Sequence, residues 1–122
     1  MTTYILMTSD NIGPYLHRAL QVGADTIIDK GDATEGLKPY RSELGTIMIV
    51  DDTQLTISAV SQVLRGLDCG SIYTYTDPNS ALQAYRSGEV RPTLVLSDLN
   101  MPGMNGFELV KEMKKIDDRS TE

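Results

Sequence analysis

The stretch GTIMIVDD, residues 45–52, is an apolar run closed by two aspartates. A run of this kind reads as a buried parallel strand that delivers carboxylates to its carboxyl end, the opening unit of an α/β domain. Here it lies in the middle of a 122-residue chain. The sequence on both sides of it therefore has to be accounted for.

Downstream, TQLTISAVSQVLRGL (53–67) has helical spacing that directs Leu55, Val60, Val63, Leu64 and Leu67 toward the strand. SIYTYT (71–76) is a β-branched and aromatic strand, after which Asp77 and Pro78 supply an N-cap and a first-turn proline for the helix NSALQAYRSG (79–88). TLVLSD (93–98) is a further strand and GFELVKEMKKID (106–117) the last helix. Upstream, TYILMT (3–8) is a strand, NIGPYLHRALQVGA (11–24) a helix with Ile12, Leu16, Ala19 and Leu20 on one face, and TIID (26–29) another strand. DATEGLKPYRSELG (32–45) reads as a helix interrupted by Gly36 and Pro39, with Gly45 as its C-terminal cap.

Five strands, each followed by a helix, imply a parallel sheet covered on both faces, with its chemistry at the carboxyl ends of the strands. Those ends carry Thr8, Ser9 and Asp10; Lys30; Asp51 and Asp52; Thr76; and Asp98. Acids, a hydroxyl and a lysine at strand ends suffice for a site.

Composition narrows the classes. With 40% hydrophobic and 23% charged residues the chain reads as a soluble globular domain, long enough to bury a core without disulfides or a structural metal. It shows no apolar run of membrane-spanning length and no N-terminal targeting pattern, so the cytoplasm is the expected compartment and no membrane partner is expected. The single cysteine, Cys69, excludes an internal disulfide and a multi-cysteine zinc site. A net charge of −6 argues against a nucleic-acid surface.

From Thr46 to about Asp118 the chain resembles the first three β-α units of the receiver domain of bacterial response regulators. IMIVDD looks like the family's first strand with its acidic pair. LVLSDLNMPGMNGFEL looks like its third strand, the phospho-accepting aspartate and the Met-Pro-x-Met-x-Gly loop. Residues 4–44 resemble the family's remainder: ILMTSD its fourth strand with the hydroxyl residue, RALQVGAD its fourth helix, and TIIDKG its fifth strand ending in lysine.

The resemblance thus implies one receiver domain over residues 1–122 in rotated order, 1–45 supplying the family's last two β-α units and 46–122 its first three. Its fold would be a flavodoxin-like three-layer sandwich, circularly permuted, and the family's strand order 2-1-3-4-5 becomes 4-3-5-1-2 in this chain's own numbering. The seam would lie at Gly45 and Thr46, and Met1 and Glu122 would lie close together on the face away from Asp98. A laboratory rearrangement, a natural one, or a piece spanning two tandem receivers would each produce this order.

For the site, the resemblance makes Asp98 the phosphoryl acceptor. Asp52 directly, Asp51 through water, Asp98 itself and the backbone carbonyl of Asn100 would hold Mg²⁺. Thr8 would donate its hydroxyl to one phosphoryl oxygen and Lys30 would pair with another. The implied function is a phosphoacceptor in a two-component phosphorelay, loaded by a sensor histidine kinase or a histidine phosphotransfer protein and read by a downstream effector. It would be no enzyme beyond self-phosphorylation from small donors and autodephosphorylation. A monomer and a swapped dimer are both compatible with the rotated order. Taken singly, the residues have plainer readings: the Asp51-Asp52 pair as a helix N-cap with a first-turn acid, Lys30 as a solvated strand-end lysine, and Thr8 as a cap. His17 reads as a surface residue, and Met101, Met104 and Phe107 as local packing.

Three features depart from the family. Gly31 stands where proline usually follows the lysine, so the cis peptide expected there is in question. Ile27 occupies the place of a switch aromatic, and Ser9 that of a small Ala or Gly. Among competing functions, a haloacid-dehalogenase-like phosphatase shares the cyclic order of groups, but it needs an acid two residues after its nucleophile, where this chain has Asn100. A nucleotide or flavin binder would need a Gly-rich phosphate loop after a strand. The complete acid set argues against a partner-binding pseudo-receiver.

Overall fold

In the computed structural model, which describes residues 2–120, all five expected strands form. They are β1 (Thr3–Thr8), β2 (Thr26–Asp29), β3 (Thr46–Val50), β4 (Ser71–Tyr75) and β5 (Leu94–Asp98). Every neighbouring pair is parallel. The order across the sheet is β2-β1-β5-β3-β4, which read from the other edge is the expected 4-3-5-1-2. Both parts of the chain therefore contribute to one sheet, with β5 seated between β1 and β3.

The two faces of the sheet are distinguished by residue parity along each strand. Tyr4, Leu6, Met48, Val50 and Val95 lie in one apolar cluster, and Ile5, Met7, Ile47, Ile49, Leu94 and Leu96 in the other. Strands that must be apolar on both sides lose their alternation, which is why TIMIV reads as a continuous run. The first cluster also takes residues of α1 (Gly13–Gln21), α4 (Pro78–Ser87) and α5 (Gly106–Ser120), and the second takes residues of α2 (Ala33–Leu37) and α3 (Gln54–Gly66). This is the three-layer α/β arrangement.

The helices differ from the sequence reading in informative ways. Leu55, expected to face the sheet, is 79% exposed, and Ile57 is buried in its stead. In α1, Leu16 and Leu20 are 40% and 53% exposed, whereas Ile12, Tyr15, Ala19 and Val22 pack on the core. Val60, Val63, Leu64 and Leu67 of α3 and Ile12 and Ala19 of α1 pack on the core as expected, and only the flank of each stripe differs, because spacing defines a stripe and the neighbouring elements decide which flank of it is covered. The expected long helix over 32–45 is instead the five-residue α2 between 3-10 turns at Lys30–Asp32 and Lys38–Glu43. Pro39 has no N–H to continue the ladder, and Tyr40 departs from helical angles at φ −103° and ψ 19°. Gly45 consequently caps no helix; Leu44 closes the second 3-10 turn and Gly45 leads directly into β3. Its carbonyl accepts from Ser71 N–H at 3.0 Å, and a Cβ on Gly70 would collide with that same oxygen, so this crossing requires glycine at 70. The Thr93 hydroxyl donates to Glu43 O at 2.6 Å and pins the same turn.

The expected proximity of Met1 and Glu122 lies outside the described residues. Close to those ends, however, α5 is joined to β1 by a polar cluster. The Tyr4 hydroxyl donates to Asp117 Oδ2 at 2.6 Å and the Tyr85 hydroxyl to Asp117 Oδ1 at 2.5 Å. Burial first, and then the bonds to Asp117, push the Tyr4 and Tyr85 hydroxyls above the ordinary tyrosine value of 10.0. A tyrosine held protonated in the fold stabilises it fully below the unfolded value; as pH rises past about 10 the unfolded chain ionises first and that stability is lost. Urea unfolding between pH 8 and 11 is therefore expected to show stability falling above pH 10, and Tyr4→Phe should flatten the fall. The same variant should cost about 1 to 2 kcal/mol at pH 8. An identical pH slope in the variant would refute the role assigned to Tyr4.

Candidate functional site

Asp98 is the last residue of β5 and Asp51 follows the last residue of β3, so two adjacent central strands bring their carboxylates to one end of the sheet. Asp51 is fully buried and Asp98 is 4% exposed, while Asp52 is exposed. Ligand-capable oxygens of Asp51, Asp52 and Asp98 all lie within 4.8 Å of one another. Such crowding is costly unless a cation compensates it.

In this structure the compensating charge is Lys30. Its ammonium stands 2.9 Å from Asp51 Oδ2 and 3.0 Å from Asp98 Oδ1, and its side chain is 16% exposed. It reaches there because β2 ends at Asp29, beside the end of β1, and the chain turns at once into a 3-10 turn that begins with Lys30. Burial opposes the charge on Lys30, but its close contacts with the Asp51 and Asp98 carboxylates outweigh it and hold the ammonium above its ordinary value. For Asp98 the balance goes the other way. Burial pushes its carboxyl above the usual range, the Lys30 bond and charge pull it down, and the charge of Asp51 pushes it up again.

Backbone groups fix the acids. Thr53 N–H donates to Asp51 Oδ1 at 2.8 Å, an Asx turn at the entrance of α3 that leaves Oδ2 as the available oxygen. That oxygen accepts no well-aligned hydrogen bond, so its contact with Lys30 is one of charge. Asn100 N–H donates weakly to Asp98 Oδ1 at 3.4 Å, and the buried Ser97 hydroxyl donates to the Asp98 carbonyl at 3.0 Å. Three oxygens at or just beyond two adjacent strand ends, one of them buried and poorly bonded, fit a hard divalent cation, which prefers few carboxylates and keeps its own waters.

The other expected residues occupy the same end. Met7 is the register partner of Asp98 and Leu99 N–H donates to Met7 O at 2.8 Å, which places Thr8 one residue beyond the level of Asp98 on the neighbouring strand. Thr8 is fully buried, and its hydroxyl oxygen accepts from Asp10 N–H at 3.1 Å. Asp10, Ser9 and Asn100 are exposed at the mouth. Ile27 is buried among apolar side chains, no peptide bond among the described residues is cis, His17 is exposed, and Met101 and Phe107 are core residues.

Sequence reasoning missed the device that holds the loop after Asp98. Glu108 N–H donates to Asn105 Oδ1 at 2.9 Å and Asn105 N–H to Glu108 Oε1 at 3.1 Å, a reciprocal capping box at the start of α5. The Asn-x-x-Glu spacing was its signal. Gly106, between the two, donates to Leu99 O at 2.9 Å and brings the helix against the strand end.

The response regulator receiver domain family matches residues 47–121 of the chain. Thr8 and Lys30 fall outside that match. The DNA-binding transcriptional activator EvgA of Escherichia coli strain K12 is 31% identical over 68 residues, 56% of this chain and 32% of that protein. The chemotaxis protein CheY of Thermotoga maritima is 30% identical over 71 residues, 58% of each chain. The DNA-binding response regulator MtrA of Mycolicibacterium smegmatis is 40% identical over 70 residues, 56% of this chain and 28% of that protein. The matched segments thus span between 28% and 58% of those relatives. No solved structure gives a significant match. Among the described residues no helix is long and apolar enough to cross a membrane.

Proposed function

The chain belongs to the response regulator receiver family, and from that premise we propose that it is a Mg²⁺-dependent phosphoacceptor whose Asp98 takes a phosphoryl group from a phosphohistidine donor. The observation that carries this reading is the cluster itself: three carboxylates with oxygens within 4.8 Å of one another, two of them bridged by Lys30, which precedes Asp98 by 68 positions in the chain. Asp98 is the nucleophile. Asp52, Asp98 and the Asn100 carbonyl would hold the cation directly and Asp51 through water, and the cation would offset the charge of the phosphoryl oxygens and the crowding of the acids. Lys30 and the Thr8 hydroxyl take up phosphoryl oxygens. The bond formed is Asp98 Oδ–P, the bond broken is the donor's N–P, and the donor imidazole leaves with the electron pair and takes up a proton. Water later hydrolyses the acyl phosphate. A sensor kinase or phosphotransfer protein as donor and an effector as reader complete the reading. The test is incubation with acetyl phosphate and Mg²⁺, which should add one acid-stable, alkali-labile phosphoryl group; a chain that takes up none under saturating Mg²⁺ would refute it.

The rotated order is part of the same proposal. Residues 1–45 serve as the family's closing two β-α units, which is supported by β1 pairing with β5 and by Lys30 meeting Asp98 within one chain. Joining Glu122 to Met1 and opening the chain between Gly45 and Thr46 should retain the fold and the site. The expected stability change is about 1 to 3 kcal/mol, the difference between closing two short loops. A rejoined protein that does not fold, or a native chain that light scattering finds as a dimer with Lys30 contributed in trans, would count against it.

A further inference from the structure

Among the described residues no strand lies beyond β4, so its outer side is a free sheet edge. Ser71 N–H donates to Gly45 O and Tyr75 O accepts from Asp51 N–H, both at 3.0 Å, so Ser71, Tyr73 and Tyr75 turn their backbone toward β3. Ile72 and Thr74 turn theirs outward. Soluble proteins guard such edges with charge, proline, a bulge or brevity. The opposite edge, β2, is four residues long and ends in Asp29. SIYTY has neither a charged residue nor a proline, and its register with β3 is unbroken from Ser71 to Tyr75. We propose that this edge is a docking site for an extended, basic segment of a partner protein, which pairs with β4 as a sixth strand and lays alternate arginines or lysines over Tyr73 and Tyr75, beside Asp77 and Glu89.

The side chains along the edge define the occupant. Tyr73 and Tyr75 are the register partners of Met48 and Val50, so both lie on the α4 side of the sheet. Tyr73 is 45% exposed, and Tyr75 opens onto a hollow shared with the carboxylates of Asp77 and Glu89 and the amides of Asn79 and Gln83. No basic side chain lines that hollow. Burial, and then the nearby Glu89 and Tyr73, hold the Tyr75 hydroxyl above its ordinary value of 10.0, which agrees with the three side chains standing together. Among the described residues neither Asp77 nor Glu89 is in an ion pair. Aromatic faces next to uncompensated carboxylates select a cation, and a guanidinium can stack on the ring while it pairs with the acid. Side chains of an added strand alternate in direction, so basic residues at every second position reach the tyrosines while the peptide backbone bonds to Ile72 and Thr74. A second copy of this chain fits less well: it would bring the same carboxylates and a net charge of −6 to the edge, and like charges would meet.

The test titrates the ¹⁵N-labelled whole chain with the end-blocked peptide Arg-Thr-Arg-Thr-Arg, followed by NMR. The amide signals of Ile72 and Thr74 should shift and their hydrogen exchange should slow. The same peptide methylated at every backbone nitrogen keeps the charge and loses the donors, and it should bind about ten-fold more weakly, as expected for losing one or two hydrogen bonds. Tyr73→Ser and Glu89→Gln each change an exposed side chain and should each weaken binding about three-fold. An equal affinity for the methylated peptide overturns the inference, because adhesion by charge alone needs no strand. So does the absence of any change at Ile72 and Thr74 with millimolar peptide. If those two signals instead move with protein concentration alone, and light scattering finds a dimer, a second copy is the occupant and the basic segment is refuted. Asp51, Asp52 and Asp98 take no part in this edge, so each of these results leaves the phosphoacceptor reading standing.

Discussion

Replacing Asp98 by asparagine is expected to reduce phosphoryl incorporation from acetyl phosphate to background. The other two acids of the cluster are poorly placed to attack phosphorus. Asp51 is buried with one oxygen tied to Thr53 N–H and the other against Lys30, and Asp52 is an exposed residue of the loop. An amide in place of the Asp98 carboxylate retains shape but has no anionic oxygen to act as nucleophile. The variant should fold at least as well as the native chain. Burial, and then the charge of Asp51, hold the Asp98 carboxyl above its ordinary value of 3.8 in spite of Lys30, so the native state carries a charge that the fold disfavours. For such a group the unfolded chain releases its proton first, and stability declines as pH rises from about 4 through the folded value. Asp98→Asn should remove that decline. Intact mass with acetyl phosphate and Mg²⁺ reads the first effect and melting temperature against pH the second; an adduct of undiminished yield in the variant would place the nucleophile elsewhere.

Gly106→Ala should be the most damaging single methyl added to the protein's functional end. A Cβ there would stand 2.5 Å from the Asp98 carbonyl oxygen, 2.8 Å from Leu6 Cδ2 and 3.0 Å from Leu99 Cα. Two of those three are backbone atoms of the strand end, which cannot rotate away, so α5 has to lift from β5 or Asp98 has to move. Overpacking of this kind costs about 3 kcal/mol, which in a domain of this size lowers the melting temperature by roughly 10 to 15 °C. Because the displaced atoms carry the acceptor, phosphorylation measured well below the new melting temperature should slow as well. A melting point within two or three degrees of the native protein would mean that α5 does not approach the strand as closely as the structure has it.

The Gly106 contact and the site share one cause. Parallel strands end together, so whatever follows them must turn sharply within a few residues, and the chain passes close to itself there. The motif LVLSDLNMPGMNGFEL was legible because its spacing is local: Asp98, the loop after it and the start of α5 lie within sixteen residues. The acidic pair at 51 and 52 was legible for the same reason. Thr8 and Lys30 could be assigned only through the family's cyclic order, since nothing near them in the chain distinguishes a strand-end lysine with a function from one dissolved in water. It is the pairing of β1 with both β5 and β2 that carries Lys30 to Asp98.

By itself the sequence determined the strands, which agree with the structure to within a residue at each end, and with them the parallel sheet and the end at which chemistry gathers. Strand character is written in runs of β-branched and apolar residues whose period is set by the backbone, so it survives without knowledge of neighbours. Tertiary structure decided the rest. It turned Leu55 outward and Ile57 inward, chose Tyr15 over Leu16, broke the segment before Gly45 into short turns, gathered Tyr4, Tyr85 and Asp117 into one cluster, and set Lys30 between two aspartates. A helical stripe is wider than the surface any single neighbour covers, and a buried charge is placed by its partners. Both are properties of the packed chain, and no local window of residues contains them.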